Sequence, residues 1–459
     1  MRGTHPEKEK PKMESGTNIF ERGDIRFTYF KLALPAVVSM LISVVYNIAD
    51  TYFIAQTQNT LLVAGVSLCA PVFTITMAFG NVYGQGGMSL LSRMLGRHDD
   101  DACRRISAFC FYMAIATGLL LTAVMLLFKT PLLTALGADA ETLSYAGEYF
   151  TILGYGAPFI LLSFVHMNLL RSEGYALQST IGSVAGLVLN IILDPIMISV
   201  LGWGAAGAAL ASVIGYIVTD LFYLIFVLKK SRLLSVSPAH LRIGGHEAGD
   251  IFSVGVSAAL ANWMSSLCLI ITNQFLLPYG NDKIAAMGIA QKVILMALML
   301  AIGFSFGGAP IIGYYYGGQR YGELKKLLRF IFLFVTGLSV ALSAILFAVA
   351  RPIVGIFLTD ADVIAAGTAM LRLQLITVGL AAVIQVITVC YQAAGKALQS
   401  LLISLCRQGI VFLAVIAVAS RVAGYQGILW SQAIADVITL AIAVALFARF
   451  YRSLKEPAA

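Results

Sequence analysis

The chain has 459 residues, 59% of them hydrophobic and only 12% charged, with a mean hydropathy of +0.86. Soluble domains carry roughly 25% charged residues, and a chain this apolar lacks the polar surface to cover a core in water. The net charge of +8 is spread thinly between long apolar runs, which argues against a nucleic-acid partner and for a polytopic membrane protein.

Residues 1–26 are polar and charged (Lys8, Glu9, Lys10, Lys12, Glu14) and read as a disordered cytoplasmic tail without a cleavable signal peptide. After it, twelve segments reach the roughly 20 apolar residues that a membrane helix needs. They are 28–54, 61–91, 105–128, 142–168, 177–200, 207–228, 250–278, 284–316, 326–349, 363–392, 398–420 and 426–448. Pro35, Pro71, Pro158, Pro195 and Pro310 are the expected kink points. The polar stretch 229–249 divides the chain into a bundle over 27–228, a cytoplasmic linker and a second bundle over 250–450, with a cytoplasmic tail at 451–459. The six cysteines show no paired spacing and read as small hydrophobes, with neither a disulfide framework nor a metal.

Of the 31 basic residues, 24 fall on one side of such a topology, four on the other and three (Lys292, Arg372, Arg407) inside helices. The positive-inside rule therefore puts both termini in the cytoplasm. The halves repeat at an offset of about 220–223. Gly65 meets Gly288, Gly96 meets Gly317, Gly204 and Gly207 meet Gly424 and Gly427, and Gly174–Ser179 matches Gly395–Ser400. Six helices per half return the chain to the cytoplasm, so the repeats share one orientation and are related by a pseudo-two-fold axis along the membrane normal. The expected fold is thus an all-α integral membrane protein of twelve transmembrane helices in two six-helix bundles facing a cleft.

Ionisable side chains inside hydrocarbon are costly and mark pathways or coupling sites. Asp50, Asp194, Asp220 and Asp436 are the acids well inside predicted helices. Asn190 and Asp194 are four residues apart and share a helix face. At about 1.5 Å per residue, Asp50, Asn190, Asp194 and Ser212 come to similar depth in the first bundle. Carboxylates close together in low dielectric suit a shared proton, and the same oxygens suit Na⁺. The competing reading is that each acid bonds separately to polar neighbours. For Asp220, which no second acid or amide motif accompanies, that structural reading is preferred. Asp436 is a candidate partner for Lys292, Arg372 or Arg407. Asn273 stands where the repeat places Asp50, so the acid pair belongs to the first half alone.

These residues resemble those of the multidrug and toxic compound extrusion (MATE) transporters over about 25–450. The marks are Pro35 before Asp50, the Asn190–Pro195 segment, Ser92-Arg93-xx-Gly96, Arg171-Ser-Glu-Gly174 and Gly207–Ser212. Segment 250–278 carries no acid beyond Asp250 at its very start, which makes the chain similar to the DNA-damage-inducible-protein-like and staphylococcal multidrug branch. The resemblance implies a multi-pass antiporter of the bacterial inner membrane that extrudes cationic, amphipathic drugs and dyes in exchange for H⁺ or Na⁺. It implies that Asp50 and Asp194 couple the cation with Asn190 and Ser212 in support, and that Pro35 is a helix-1 bend. No other cofactor and no nucleic-acid partner is implied, and a monomer in lipid is expected. Candidates to line an apolar drug cavity are Tyr46, Asn47, Tyr149, Tyr155, Met287, Met296 and Met299, with ordinary packing as the competing reading.

Three alternatives compete, one of them a twelve-helix carrier of the major facilitator type, which Gly87-xxxxx-Arg93-xx-Gly96-Arg97 disfavours because it lacks the Asp expected just before the Arg. A lipid-linked oligosaccharide flippase would use Lys292, Arg372 and Arg407 to hold pyrophosphate. An enzyme would need more than Gly303-Phe-Ser305-Phe-Gly307, which fits GxSxG but lies in an apolar helix without evident partners.

Overall fold

The computed structural model describes residues 18–21, 24–357 and 360–455, and no strand occurs among them. The first half contains α1 (Asn18–Glu21), α2 (Ile25–Ala55), α3 (Thr60–Leu68), α4 (Ala70–Gly96), α5 (Asp100–Leu127), α6 (Lys129–Ala135), α7 (Leu143–Ser172), α8 (Ala176–Pro195) and α9 (Gly204–Lys230). The second contains α10 (Gly245–Leu276), α11 (Asn281–Gly317), α12 (Tyr321–Ala348), α13 (Ala350–Phe357), α14 (Ala361–Ala393), α15 (Ala397–Gln408) and α16 (Ile410–Ser453). Short polar residues start several of them. Asp24, Asn59, Asp99 and Asp360 each accept from backbone N–H groups of the turn that follows, which satisfies donors a helix start leaves free. The run at Asp99–Asp101 is such a start, with Arg104 paired to Asp101 at 3.3 Å.

Among the described residues, eleven stretches are long and apolar enough to cross a membrane, and the last, Ala397–Ser453, has 57 residues. At about 1.5 Å per residue the 44 residues of α16 alone would span about 66 Å, twice the hydrocarbon thickness. Gly424, at φ 54°, breaks it, and the chain returns: Arg407 on α15 and Asp436 beyond the break lie 3.0 Å apart. The two final segments expected from sequence are thus two arms of one folded stretch, and twelve crossings result. The repeat shows in the backbone at the same place, since Gly204, the counterpart of Gly424, has φ 52°.

The expected kink points divide. Pro35, Pro158 and Pro310 sit inside unbroken helices. Pro71 falls in the first turn of α4 after a break at Cys69, and Pro195 ends α8 ahead of a five-residue π-helical segment, Ile196–Val200. A helix also stands within the expected tail 1–26. Asn18–Glu21 is helical, and Phe20 is fully buried, stacked on Tyr314 at 4.9 Å. An apolar Ile19–Phe20 pair in a polar stretch is enough to dock it. Residues 1–17 of that tail, and 456–459 of the other, lie outside the described residues.

The halves meet at the end that carries Arg93 and Arg97. Tyr29 donates to the Phe304 carbonyl at 2.9 Å, and Ser89 to the Gln392 carbonyl. Arg93 reaches Asp250 through two nitrogens at 3.1 Å, and Arg105 reaches Glu247 at 3.3 Å. A Cβ on Gly96 would lie 2.0 Å from the Tyr314 carbonyl oxygen, and one on Gly317 would lie 2.0 Å from that of Arg93. Each position is the repeat partner of the other, so this close approach relates the two halves symmetrically; Gly255 and Gly86 make similar ones at Val82 and Ile251. Along α2, close contact with α11 runs from Tyr29 to Met40. Beyond it, Tyr46 turns to α9 instead.

The linker is a strap on the first half. Ser235 exchanges two hydrogen bonds with Ser107, at 2.7 and 3.0 Å, and Tyr112 donates to the Val236 carbonyl at 3.0 Å. Its start is held by Glu173, which accepts from the Ser231 hydroxyl and the Arg232 N–H. Glu173 lies just past α7 and is 1% exposed; burial pushes its carboxyl up to about 7. The fold therefore favours its neutral form, and its contribution to stability is complete below about pH 4.5 and lost as pH rises through about 7. The wild-type melting temperature is expected to fall between about pH 5.5 and pH 8 by more than that of Glu173→Gln; parallel curves for the two proteins would rule this out.

Candidate functional site

The polar cluster of the first half is built by α2, α8 and α9. Asn190 and Asp194 occupy one face in the last turns of α8, 2% and 0% exposed. Small residues let α9 press against that helix: a Cβ on Gly186 would come within 2.0 Å of the Thr219 hydroxyl. The approach brings Ser212 beside Asn190, whose amide donates to the Ser212 hydroxyl at 3.2 Å. Tyr46 of α2 closes the group, its hydroxyl 3.3 Å from that of Ser212. Asp50, one turn further along α2 and half-buried, is an electrostatic neighbour of Asp194, Tyr46 and Tyr149.

The donors and acceptors do not balance. Both carboxylate oxygens of Asp194 and the amide oxygen of Asn190 are buried and accept no hydrogen bond from the protein. A buried acceptor without a donor costs about 1–3 kcal/mol, and these three oxygens belong to residues one turn apart on α8. Carboxylate, amide, hydroxyl and phenol oxygens suit a proton or a hard monovalent cation.

The other sequence candidates fall in different places. Pro35 lies on α2 where that helix is tied to α8: its carbonyl accepts from Thr180 at 2.7 Å, and Ser39 and Ser183 meet one turn on at 2.8 Å. Asn47 is exposed, its amide turned back to the Ser43 carbonyl. Tyr149 packs against apolar residues of the first half and is an electrostatic neighbour of Asp50, whereas Tyr155 is 59% exposed; no hydrogen bond ties either to the cluster among the described residues. Met287 is 2% exposed in the core of the second half, where Gln374 donates to its sulfur; Met296 is 48% exposed and Met299 half-buried. Asp220 accepts from Ser163 at 2.7 Å. Of the three bases Asp436 could pair with, it takes Arg407. Arg372 lies 5.1 Å over the Phe347 ring, and Lys292 is exposed. Ser305 of the GxSxG run is 1% exposed and donates to the Ala301 carbonyl of its own helix.

One tyrosine of the site escaped the sequence, and another has a hydrogen bond the sequence did not foresee. Tyr46 is a cavity candidate there, yet its hydroxyl belongs to the cluster. Tyr216, an electrostatic neighbour of both Asp50 and Asp220, was not singled out, although its place four residues after Ser212 puts it on the same helix face.

Two repeated six-helix units of membrane-spanning length, with buried unpartnered oxygens between the helices of the first, suit a multi-pass membrane transporter. The sequence matches the MatE family over residues 35–196 and 257–419, one match in each half, and the chain belongs to that family. It is 30% identical over 417 residues to the multidrug export protein MepA of Staphylococcus aureus (strain MRSA252). It is 29% identical over 419 residues to the MepA protein of Staphylococcus saprophyticus. Both alignments cover 91% of this chain and 92% of the relative. Among solved structures, a MATE transporter in an outward-facing conformation matches with a TM-score of 0.90, and a MATE protein in a straight conformation with 0.91. Each is 22% identical and covers 97% of this chain and 100% of its own, so the likeness is one of fold.

Proposed function

We propose that the chain is a secondary antiporter of a bacterial cytoplasmic membrane, both termini cytoplasmic, that extrudes cationic amphipathic drugs and dyes by alternating access. The entering ion, H⁺ or Na⁺, binds at Asp50 and Asp194 with Asn190 and Ser212. The observation that carries this reading is the set of three buried, unpartnered oxygens of Asp194 and Asn190, in a chain whose relatives are named multidrug export proteins.

Exchange requires that drug and cation differ in affinity for two states of the protein. Helix α2 is suited to report the cation. It carries Asp50 near the cluster and Pro35 about four turns away, and a proline removes one helical hydrogen bond, which makes bending there cheap. With the halves joined at the basic end, the cluster faces the opposite, external side. Positive-inside orientation then makes this the state that receives the cation and releases the drug. Arg407 is taken by Asp436 and Arg372 is stacked on Phe347, which leaves the flippase reading with one free base of its three.

Dye efflux from cells lacking other pumps tests the proposal. Ser212→Ala removes the hydroxyl that orders Asn190, worth about 1 kcal/mol or about fivefold in cation affinity. The variant is expected to need correspondingly more cation for half-maximal efflux at an unchanged maximal rate. An unaltered cation dependence would remove Ser212 from the site.

A further inference from the structure

At the basic end of the second half, the start of α12 and the end of α16 leave a groove between them. Its volume is about 330 Å³, and Leu328, Arg329, Phe332, Leu333, Phe447 and Tyr451 line it. Ring contacts fix its place: Tyr316, next to Gly317, meets Tyr321 at 6.1 Å and Phe450 at 5.9 Å. Helical spacing then sets an order along it. Lys325 and Tyr451 stand at the mouth, Arg329 and Phe447 one turn further in, and Phe332 and Leu333 deeper again. The Lys325 ammonium lies 5.3 Å over the Tyr451 ring. Tyr451 meets Phe447 at 6.0 Å, and Phe447 meets Phe332 at 5.2 Å. Leu333, 68% exposed, opens the apolar end to hydrocarbon. Among the described residues neither Lys325 nor Arg329 pairs with a carboxylate. The acid in the first turn of α12, Glu323, is taken by Arg320 at 2.9 Å.

We infer that this groove seats one anionic phospholipid of the cytoplasmic leaflet, its phosphate at Lys325 and Arg329 and one acyl chain along Phe332, Leu333 and Phe447. The two bases share a helix face one turn apart, and basic pockets between helices on the cytoplasmic side are suited to anionic head groups. Their long stems lie along apolar surface while the charged ends reach the membrane–water boundary. The lipid supplies the negative charge that the protein withholds, and its chain covers the ring faces left open between the two helices. The same charges repel a cationic amphipath, so the groove is not a second drug site. The choice of leaflet rests on the proposed cytoplasmic placement of the termini; the seat itself does not.

Native mass spectrometry tests it, with the delipidated full chain in detergent titrated with phosphatidylglycerol or with phosphatidylcholine of the same chains. The first phosphatidylglycerol is expected to bind about tenfold or more tighter than phosphatidylcholine, since each base near an anionic head group is worth about fivefold. Lys325→Gln combined with Arg329→Gln is expected to lose about thirtyfold in affinity for phosphatidylglycerol and to bind phosphatidylcholine as the wild type does. Should the double variant not fold, Arg329→Gln alone is expected to lose about fivefold. Arg242→Gln, which removes an exposed base of the linker, is expected to change neither affinity. Leu333→Trp, which narrows the groove and keeps both bases, is expected to weaken phosphatidylglycerol severalfold. Inorganic phosphate at millimolar concentration is expected not to displace the lipid. Equal affinity for the two lipids would overturn the inference, as would equal losses in Arg242→Gln and the groove variants. Displacement by inorganic phosphate, or unchanged binding in Leu333→Trp, would mean that the bases hold phosphate without a lipid seat and would overturn it too. In detergent these outcomes depend neither on which side of the membrane the groove faces nor on the cation site of the first half, so their failure counts against the seat alone.

Discussion

Asp194→Asn is expected to abolish cation-coupled efflux while leaving the protein folded and as stable as the wild type or more so. The carboxylate is fully buried and receives no hydrogen bond from the protein. Asparagine keeps its shape, removes the charge, and brings an N–H₂ group that can donate to the unpartnered oxygen of Asn190. Losing a charged ligand to a buried cation costs about 3 kcal/mol or more, over a hundredfold in affinity. Activity and stability thus move in opposite directions, which separates a ligand from a packing residue. Dye efflux and a thermal melt on the same preparation check it. A variant that keeps wild-type efflux, or loses it only by failing to fold, would refute the assigned role. Asp50→Asn is expected to follow the same pattern with a smaller gain in stability, since Asp50 is only half-buried.

The second large effect is steric. Gly317→Ala places a methyl 2.0 Å from the backbone oxygen of Arg93, and Gly96→Ala does the same at Tyr314. Backbone cannot rotate out of the way, so the two halves must part. Overpacking of this kind costs about 1–3 kcal/mol or more, enough to shift a two-state equilibrium against the closed basic end by about fivefold to a hundredfold. Both variants are expected to reach the membrane and to lose most of their efflux. Gly337→Ala and Gly355→Ala, where a Cβ would meet nothing within 4 Å, are the matched controls. They are expected to be neutral or slightly stabilising, because alanine favours helix by about 1 kcal/mol. Equal activity in all four would mean that the approach of Gly96 and Gly317 has no part in transport.

Much of this architecture was legible in the residues because the bilayer imposes long apolar runs and the positive-inside rule imposes a sidedness. The repeated glycines marked turns and close approaches that only glycine permits. What the pattern lacked was breaks and partners. The Gly424 reversal and the break at Cys69 are single-residue events inside continuous apolar sequence, so hydropathy passes through them unmarked. In the site, the four-residue spacing of Asn190 and Asp194 and simple depth arithmetic brought four residues to one level. Spacing gives a face and a height but not the helix that faces it. For that reason Tyr216 went unnoticed, Tyr46 was assigned to a cavity wall, and the base that pairs with Asp436 stayed open among three. Met287 shows the converse: a flexible apolar residue suits a drug cavity and a core equally, and only the fold reveals that it is 2% exposed.

The most direct test of the central claim is dye efflux from vesicles under separately imposed inward Na⁺ and H⁺ gradients, comparing the wild type with Asp194→Asn. The account predicts that one of the two gradients drives wild-type efflux and that neither drives it in the variant. Efflux of equal rate in both proteins, or wild-type efflux that persists without either gradient, would contradict it.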